Sequence, residues 1–278
     1  FSSANVLRSY TTEQLVALGI SWVWMGMEGK DSQYAKLNGA DTHELVRTLQ
    51  SHGIRVLGSS IIGLEEHTPE NIDAAIEYAV SHDTEFHQFM LYTPIPGTPL
   101  HAKLEAEGAL LGTDECCLAD THGQLKFNYR HPHIRDGRET EFIVRAFDRD
   151  FEVNGPSVLR VIRTTLAGWK RYRNHPDARI RARFAYEARE LGTTHAAALW
   201  AARRWYRSDP AIFGRLSRVQ KDLYREFGWK ARLMGALGGR FLYSKLKQED
   251  RRLRNGWTYE PPASRELNKA AAMAATHA

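Results

Sequence analysis

Ile20-Ser21-Trp22-Val23-Trp24-Met25-Gly26-Met27-Glu28 is a short apolar run. Two more follow it, Arg55-Val56-Leu57-Gly58-Ser59-Ser60-Ile61-Ile62-Gly63 and Phe86-His87-Gln88-Phe89-Met90-Leu91-Tyr92. They recur about every thirty residues, and each has the length of a strand rather than of a helix. Residues 22–25, and the pairs Val56-Leu57 and Ile61-Ile62, are apolar without a break, the pattern of parallel strands covered on both faces. Helix starts stand between the runs. Thr11 with Gln14 and Asp41 with Glu44 have capping-box spacing, Thr68-Pro69 places a cap residue before a first-turn proline, and Gly19 and Gly53 close the helices that precede strands. Strand and helix alternating at this spacing predict an α/β fold with a parallel sheet, open or closed as a barrel. Ligands of such sheets gather at the carboxyl ends of the strands, which directs attention to residues 26–30, 63–67 and 92–99.

The chain of 278 residues is 42% hydrophobic and 26% charged, ordinary globular composition that excludes fibrous and disordered classes. Its most apolar stretch, residues 20–27, is far shorter than the ~20 residues of a membrane span. The adjacent Cys116 and Cys117 suit neither a disulfide framework nor a zinc site, and as reduced thiols they predict a cytoplasmic protein. Phe1 stands where an initiator methionine is expected, so the chain reads as a carboxy-terminal piece of a longer protein. Residues 1–150 carry 12 Lys+Arg against 22 Asp+Glu, whereas residues 151–278 carry 26 against 11. Two regions of opposite charge are expected.

The strand ends carry a resemblance. Trp24-Met25-Gly26-Met27-Glu28-Gly29, trailed by Tyr34, Lys36 and Gly39, resembles the fourth barrel strand of radical S-adenosylmethionine enzymes, which often ends in Gly-x-Glu. Ile61-Ile62-Gly63-Leu64-Glu65-Glu66 is similar to the family's fifth-strand motif Gly-x-Ile-x-Gly-x-x-Glu, with Ser59 in place of its first glycine. Tyr92-Thr93-Pro94-Ile95-Pro96-Gly97-Thr98-Pro99-Leu100 resembles the proline-rich exit from the sixth strand in the branch associated with cobalamin (B12). The resemblance implies that residues 1–111 are the carboxy-terminal half of a partial (β/α)6 TIM-like barrel. Composition predicts a connecting segment over 112–137, a basic helical region over 138–262 and a disordered tail over 263–278, which is polar and then alanine-rich. An unpaired sheet edge left by missing strands predicts aggregation or dimerisation of the isolated piece.

By the same resemblance, three cysteines spaced Cys-x-x-x-Cys-x-x-Cys hold a [4Fe-4S] cluster that cleaves S-adenosylmethionine. This sequence lacks that motif, so no metal ligand is expected within it, and the piece alone is expected to be inactive. Carried over residue by residue, Glu28, Ile61, Gly63 and Glu66 are the cofactor-binding candidates. Gly63 would let the backbone approach an adenine ring, and Glu28 could accept from a ribose hydroxyl. The alternative for Gly63 is a tight turn, and for Glu66 service to the first turn of the next helix. His87 and Gln88 point to opposite faces of a strand, so one of them faces the barrel interior, toward substrate or cobalamin. His131 and His133 lack further ligands and read as loop or packing residues, and Pro94, Pro96 and Pro99 as architecture.

The second region predicts helices over 158–172, 180–191, 195–206, 211–227 and 240–254, with boundaries at Asn154-Gly155-Pro156, His175-Pro176, Asp209-Pro210 and Gly238-Gly239. The implied function is a cobalamin-dependent methyltransferase or related carbon-radical enzyme, acting on a small or lipid-like substrate and served by a flavodoxin- or ferredoxin-type electron donor. Two alternatives stand beside it: a radical enzyme modifying RNA, and a non-catalytic basic helical module on a degenerate half-barrel. The basic region could meet RNA, a membrane surface or the acidic first region itself.

Overall fold

The computed structural model describes residues 1–27, 41–116, 123 and 125–257. The three apolar runs are strands β1 (Trp22–Gly26), β2 (Arg55–Ile62) and β3 (Phe86–Leu91). They pair in parallel in the order β1-β2-β3, Trp24 standing opposite Leu57 and Leu57 opposite Phe86. Among the described residues the sheet stays open, with Ser2 bridging to Met25 on the outer side of β1. Helices α1 (Ala4–Arg8), α2 (Thr12–Ala17), α3 (Thr42–Ser51), α4 (Ile72–Val80) and α5 (Pro99–Ala106) alternate with the strands. The capping box at α2 forms as its spacing predicts: Gln14 N donates to Thr11 Oγ1 at 3.2 Å and Thr11 N to Gln14 Oε1 at 2.7 Å. Asp41 caps α3 through Glu44 N at 3.0 Å. Thr68 does not cap a helix at Pro69. Asn71 Oδ1 accepts from Thr68 N at 2.8 Å, closing a turn that delays α4 to Ile72.

The expectation of strands covered on both faces is corrected. Val23, Met25, Val56, Gly58, Ser60, Ile62, His87, Phe89 and Leu91 lie beneath helices, while Trp22, Trp24 and Phe86 of the opposite face are exposed. Apolar side chains do occupy both faces, but the described residues bury only one. Glycine sets two of the close approaches on the covered side. A methyl group on Gly58 would lie 2.9 Å from the ring of His87, its partner in register, and one on Gly53 would lie 2.6 Å from Gly168 Cα.

The helical region begins with α6 (Arg138–Asn154) and α7 (Ser157–Tyr172), which pack onto the sheet and its helices. Phe142, Ile143 and Ala146 share a core with Ile62, Phe89 and α4, and Tyr172, Ile180 and Phe184 share one with Val23, Met25 and α3. Hydrophobic burial therefore crosses the change in charge near residue 138. At the α6–α7 corner, buried Arg160 forms a two-bond fork with Asp150 (2.7 and 3.0 Å) and donates to Thr84 O at 2.7 Å. Asn154 adds donations to Asp150 Oδ1 (2.9 Å) and Val80 O (2.8 Å). At the same end of the sheet, Glu85 is fully buried and accepts from Val56 N at 2.6 Å.

Helices α8 (Ala178–Ala188) and α9 (Ala196–Trp205), joined through a π-helical turn at Leu191–His195, precede α10 (Pro210–Arg254). The boundary expected at Gly238-Gly239 is corrected. The break lies at Gly228, with φ 68° and ψ −150°, a conformation reserved for glycine. There α10 doubles back: Gln220 on the first limb accepts from Arg203, and Gly238 and Gly239 on the second approach Ala197 and Trp200. A methyl on Gly239 would lie 2.7 Å from the Trp200 ring. These glycines let two helices touch rather than ending one.

Asp150→Ala is expected to lower stability by about 3–5 kcal/mol in urea unfolding, because it strands a buried guanidinium. Glu152→Ala, an exposed change on the same helix, is expected to stay within about 0.5 kcal/mol.

Candidate functional site

Strand pairing sorts the uncovered face into rows. Trp24, Leu57 and Phe86 form one row, Gly26, Ser59 and Gln88 the next, and Ile61 with Met90 the row nearest the carboxyl ends. Trp22 stacks on Phe86 at 5.7 Å, Arg55 lies 5.0 Å over Trp22, and Phe1 meets Trp24 edge-on at 5.1 Å. Ser59 Oγ and Gln88 Oε1 are 3.4 Å apart across the middle row. The face is thus a largely aromatic floor, then a hydroxyl and an amide, then two apolar side chains at the rim.

The loop after β2 is held by side-chain hydrogen bonds. Gly63, at φ +76°, and Leu64 both donate their N–H groups to His67 Nδ1, at 3.0 and 3.1 Å. His131 Nδ1 accepts from His133 N and Ile134 N, at 3.1 and 2.9 Å, so the proton resides on Nε2 and is donated to Leu64 O at 3.0 Å. Burial lowers the pKa of both His67 and His131, favouring these neutral forms. Phe127 stacks on His131 at 4.9 Å, and a methyl on Gly63 would lie 2.4 Å from its ring. Beyond β3, Thr98 caps α5 through His101 N at 3.3 Å with Pro99 in the first turn, and Pro94 O accepts from Asn128 at 3.0 Å. Pro99 thus stands at a helix start, and Pro94 is tied to Asn128.

Ile61 and Gln88 lie on the same uncovered face in adjacent rows, two register positions apart. His87 is on the other face, buried beside Ser60 at 2.9 Å and stacked on Phe89 at 4.4 Å. Of the two residues between which the sequence left the choice open, Gln88 faces outward and His87 is packed away. Gly63 is buried against Phe127, and Glu66 is exposed, its backbone carbonyl accepting from Asn71 and its carboxylate acting on His67 through charge. Glu28 and Cys117 lie outside the described residues. Sequence reasoning passed over Ser59, Met90 and Trp24, although strand alternation from Ile61, Gln88 and Gly26 points to them. It also passed over Phe127 and His67, whose roles depend on contacts across loops. Among the described residues, no group of three or more His, Cys, Asp or Glu side chains converges as a metal site.

No family model matches the chain. Over 115 residues, 40% of its length, it is 29% identical to an uncharacterized methyltransferase of Pyrococcus horikoshii, covering 25% of that protein. Over 98 residues, 33% of its length, it is 30% identical to the hopanoid C-2 methylase of Rhodopseudomonas palustris, covering 19% of it. The chain therefore spans a quarter or less of the length of these curated relatives, and both are named for methyl transfer.

Burial depresses His87 and His82 to about 4. His82 also accepts from Thr42 at 2.8 Å and stacks on His43 at 3.8 Å. Because the unfolded chain binds these protons more tightly, stability is whole above pH 6.5. It should fall as pH drops from 6.5 toward 4, by up to about 1.4 kcal/mol per pH unit for each histidine. Urea midpoints at pH 7 and pH 5 and NMR titration of the imidazoles measure this. A His87 that titrates near 6.5 in the folded protein would contradict it.

Proposed function

We propose that the chain supplies one wall of the cofactor and substrate cavity of a radical S-adenosylmethionine methyltransferase of the cobalamin-associated branch, its three strands being part of a (β/α)6 barrel. The uncovered sheet face carries this reading. Parallel strands whose ends bear the resembling motifs are sealed by helices on one side and present Trp24, Ser59, Ile61, Gln88 and Met90 on the other. Similarity to two proteins named for methyl transfer supports the same reading.

The two cysteines of this sequence are adjacent and do not match a three-thiolate cluster motif, so no step is assigned to a cluster here. S-adenosylmethionine, when bound, supplies a methyl group or an adenosyl radical. The residues of the uncovered face fit its nucleoside. Ile61 and Met90 offer apolar contact to the base, and Ser59 and Gln88 offer a hydroxyl and an amide to ribose. Phe127 already fills the side-chain side of Gly63, so Gly63 meets a nucleoside only through its backbone. The exposed aromatic side chains of Trp24 and Phe86 would suit an apolar acceptor, and one relative is named for a hopanoid. A flavodoxin- or ferredoxin-type protein would deliver the electron.

The test uses the complete protein carrying this chain, prepared anaerobically with iron, sulfide and hydroxocobalamin, then given S-adenosylmethionine and a low-potential reductant. Formation of 5′-deoxyadenosine or S-adenosylhomocysteine is expected, with Ile61→Asp lowering the yield at least tenfold while circular dichroism stays unchanged. Neither product from a spectroscopically intact cluster would overturn the proposal.

A further inference from the structure

The second limb of α10, after the break at Gly228, has two long faces of different kinds. Ala231, Gly235 and Gly239 are buried, Gly235 against Ala196 O and Gly239 against Trp200 of α9. On the side away from them, Trp229, Leu233, Leu237 and Phe241 recur every fourth residue, at 69%, 48%, 56% and 62% exposure, with Met234 beside them. Four large apolar side chains in one line on a helix form a contiguous patch, which on a protein surface marks an interaction site.

Charge selects the kind of partner. Between Gly228 and Gln248 the limb carries Lys230, Arg232, Arg240, Lys245 and Lys247 and no acidic residue. Lys230 Nζ lies 6.0 Å from the Trp229 ring and Lys245 Nζ 5.8 Å from that of Phe241, so cations border the apolar line within reach of its surface. A second copy of this limb would bring like charges together. RNA would use the cations but leave Leu233, Leu237 and Met234 without partners. Hydrocarbon beneath anionic headgroups satisfies both sets, because tryptophan, phenylalanine and leucine can enter the acyl boundary while lysine and arginine stems reach up to phosphate. No helix among the described residues is long and apolar enough to cross a membrane, so such contact would lie along the surface.

We infer that the second limb of α10 docks the protein on an anionic lipid bilayer, lying in the interface with Trp229, Leu233, Leu237 and Phe241 immersed. This goes beyond the proposed methyl transfer and stands independently of it.

The test is flotation of the full chain with vesicles of phosphatidylcholine alone or with about 30% phosphatidylglycerol, typical of an anionic surface. Flotation with the anionic vesicles only, weakening as salt rises, is expected. The double variant Leu237→Asp/Phe241→Asp is expected to bind at least tenfold less with unchanged circular dichroism, and Val144→Asp, an exposed change on α6, to bind as the parent does. Failure to float with either vesicle would overturn the inference, as would flotation that the double variant leaves intact. Binding of single-stranded RNA without vesicle binding would assign the surface to nucleic acid instead. A dimer abolished by the double variant, again without vesicle binding, would assign it to a second copy.

Discussion

Arg160 reaches from α7 into the beginning of the sheet. Its guanidinium satisfies Thr84 O just before β3 and both oxygens of Asp150 on α6, and Asn154 extends the same network to Val80 at the end of α4. Removing a charge pair from water is costly unless hydrogen bonds offset it, and here Asp150 accepts three, two from Arg160 and one from Asn154. The consequence is positional. With α6 and α7 held at that corner, Phe142, Ile143 and Ala146 seal one side of the sheet, and the basic helical region is continuous with the acidic strand-bearing one through shared cores.

Coverage of one face leaves the other open among the described residues. Since all three strands run the same way, their carboxyl ends stand along one edge, and the rows above that edge grade from aromatic to polar to aliphatic. The loop that borders it is shaped by two neutral histidines that accept or donate backbone hydrogen bonds. Imidazoles used this way serve geometry rather than proton transfer, which accounts for their burial and depressed basicity.

Much of the architecture was legible from local pattern. The three strands, the cap at Thr11, the cap at Asp41 and the helices beginning near residues 157 and 178 follow from apolar runs and from side chains that bond their own neighbours. Where the reading failed, a distant contact decided. Thr68-Pro69 looked like a helix start, but Asn71 turned the chain back on Thr68. Gly238-Gly239 looked like a terminus, but Trp200 and Ala197 pack against those positions, and the reversal fell to Gly228. Glycine is ambiguous in sequence because it serves both left-handed backbone and close approach.

The candidate site divides along the same line. Sequence by itself determined that β1, β2 and β3 would run parallel and end along one edge, because strands joined by helical crossovers must do so. It also determined that His87 and Gln88 would point apart, since successive side chains alternate across a strand. Which of them faces the uncovered surface was decided only in the folded chain, by which side of the sheet α4, α6 and α7 came to cover. The same holds for the ring of Phe127 beside Gly63 and for the apolar line on α10. Each depends on what lies far away in sequence, or on what fails to lie there, and no local propensity encodes that.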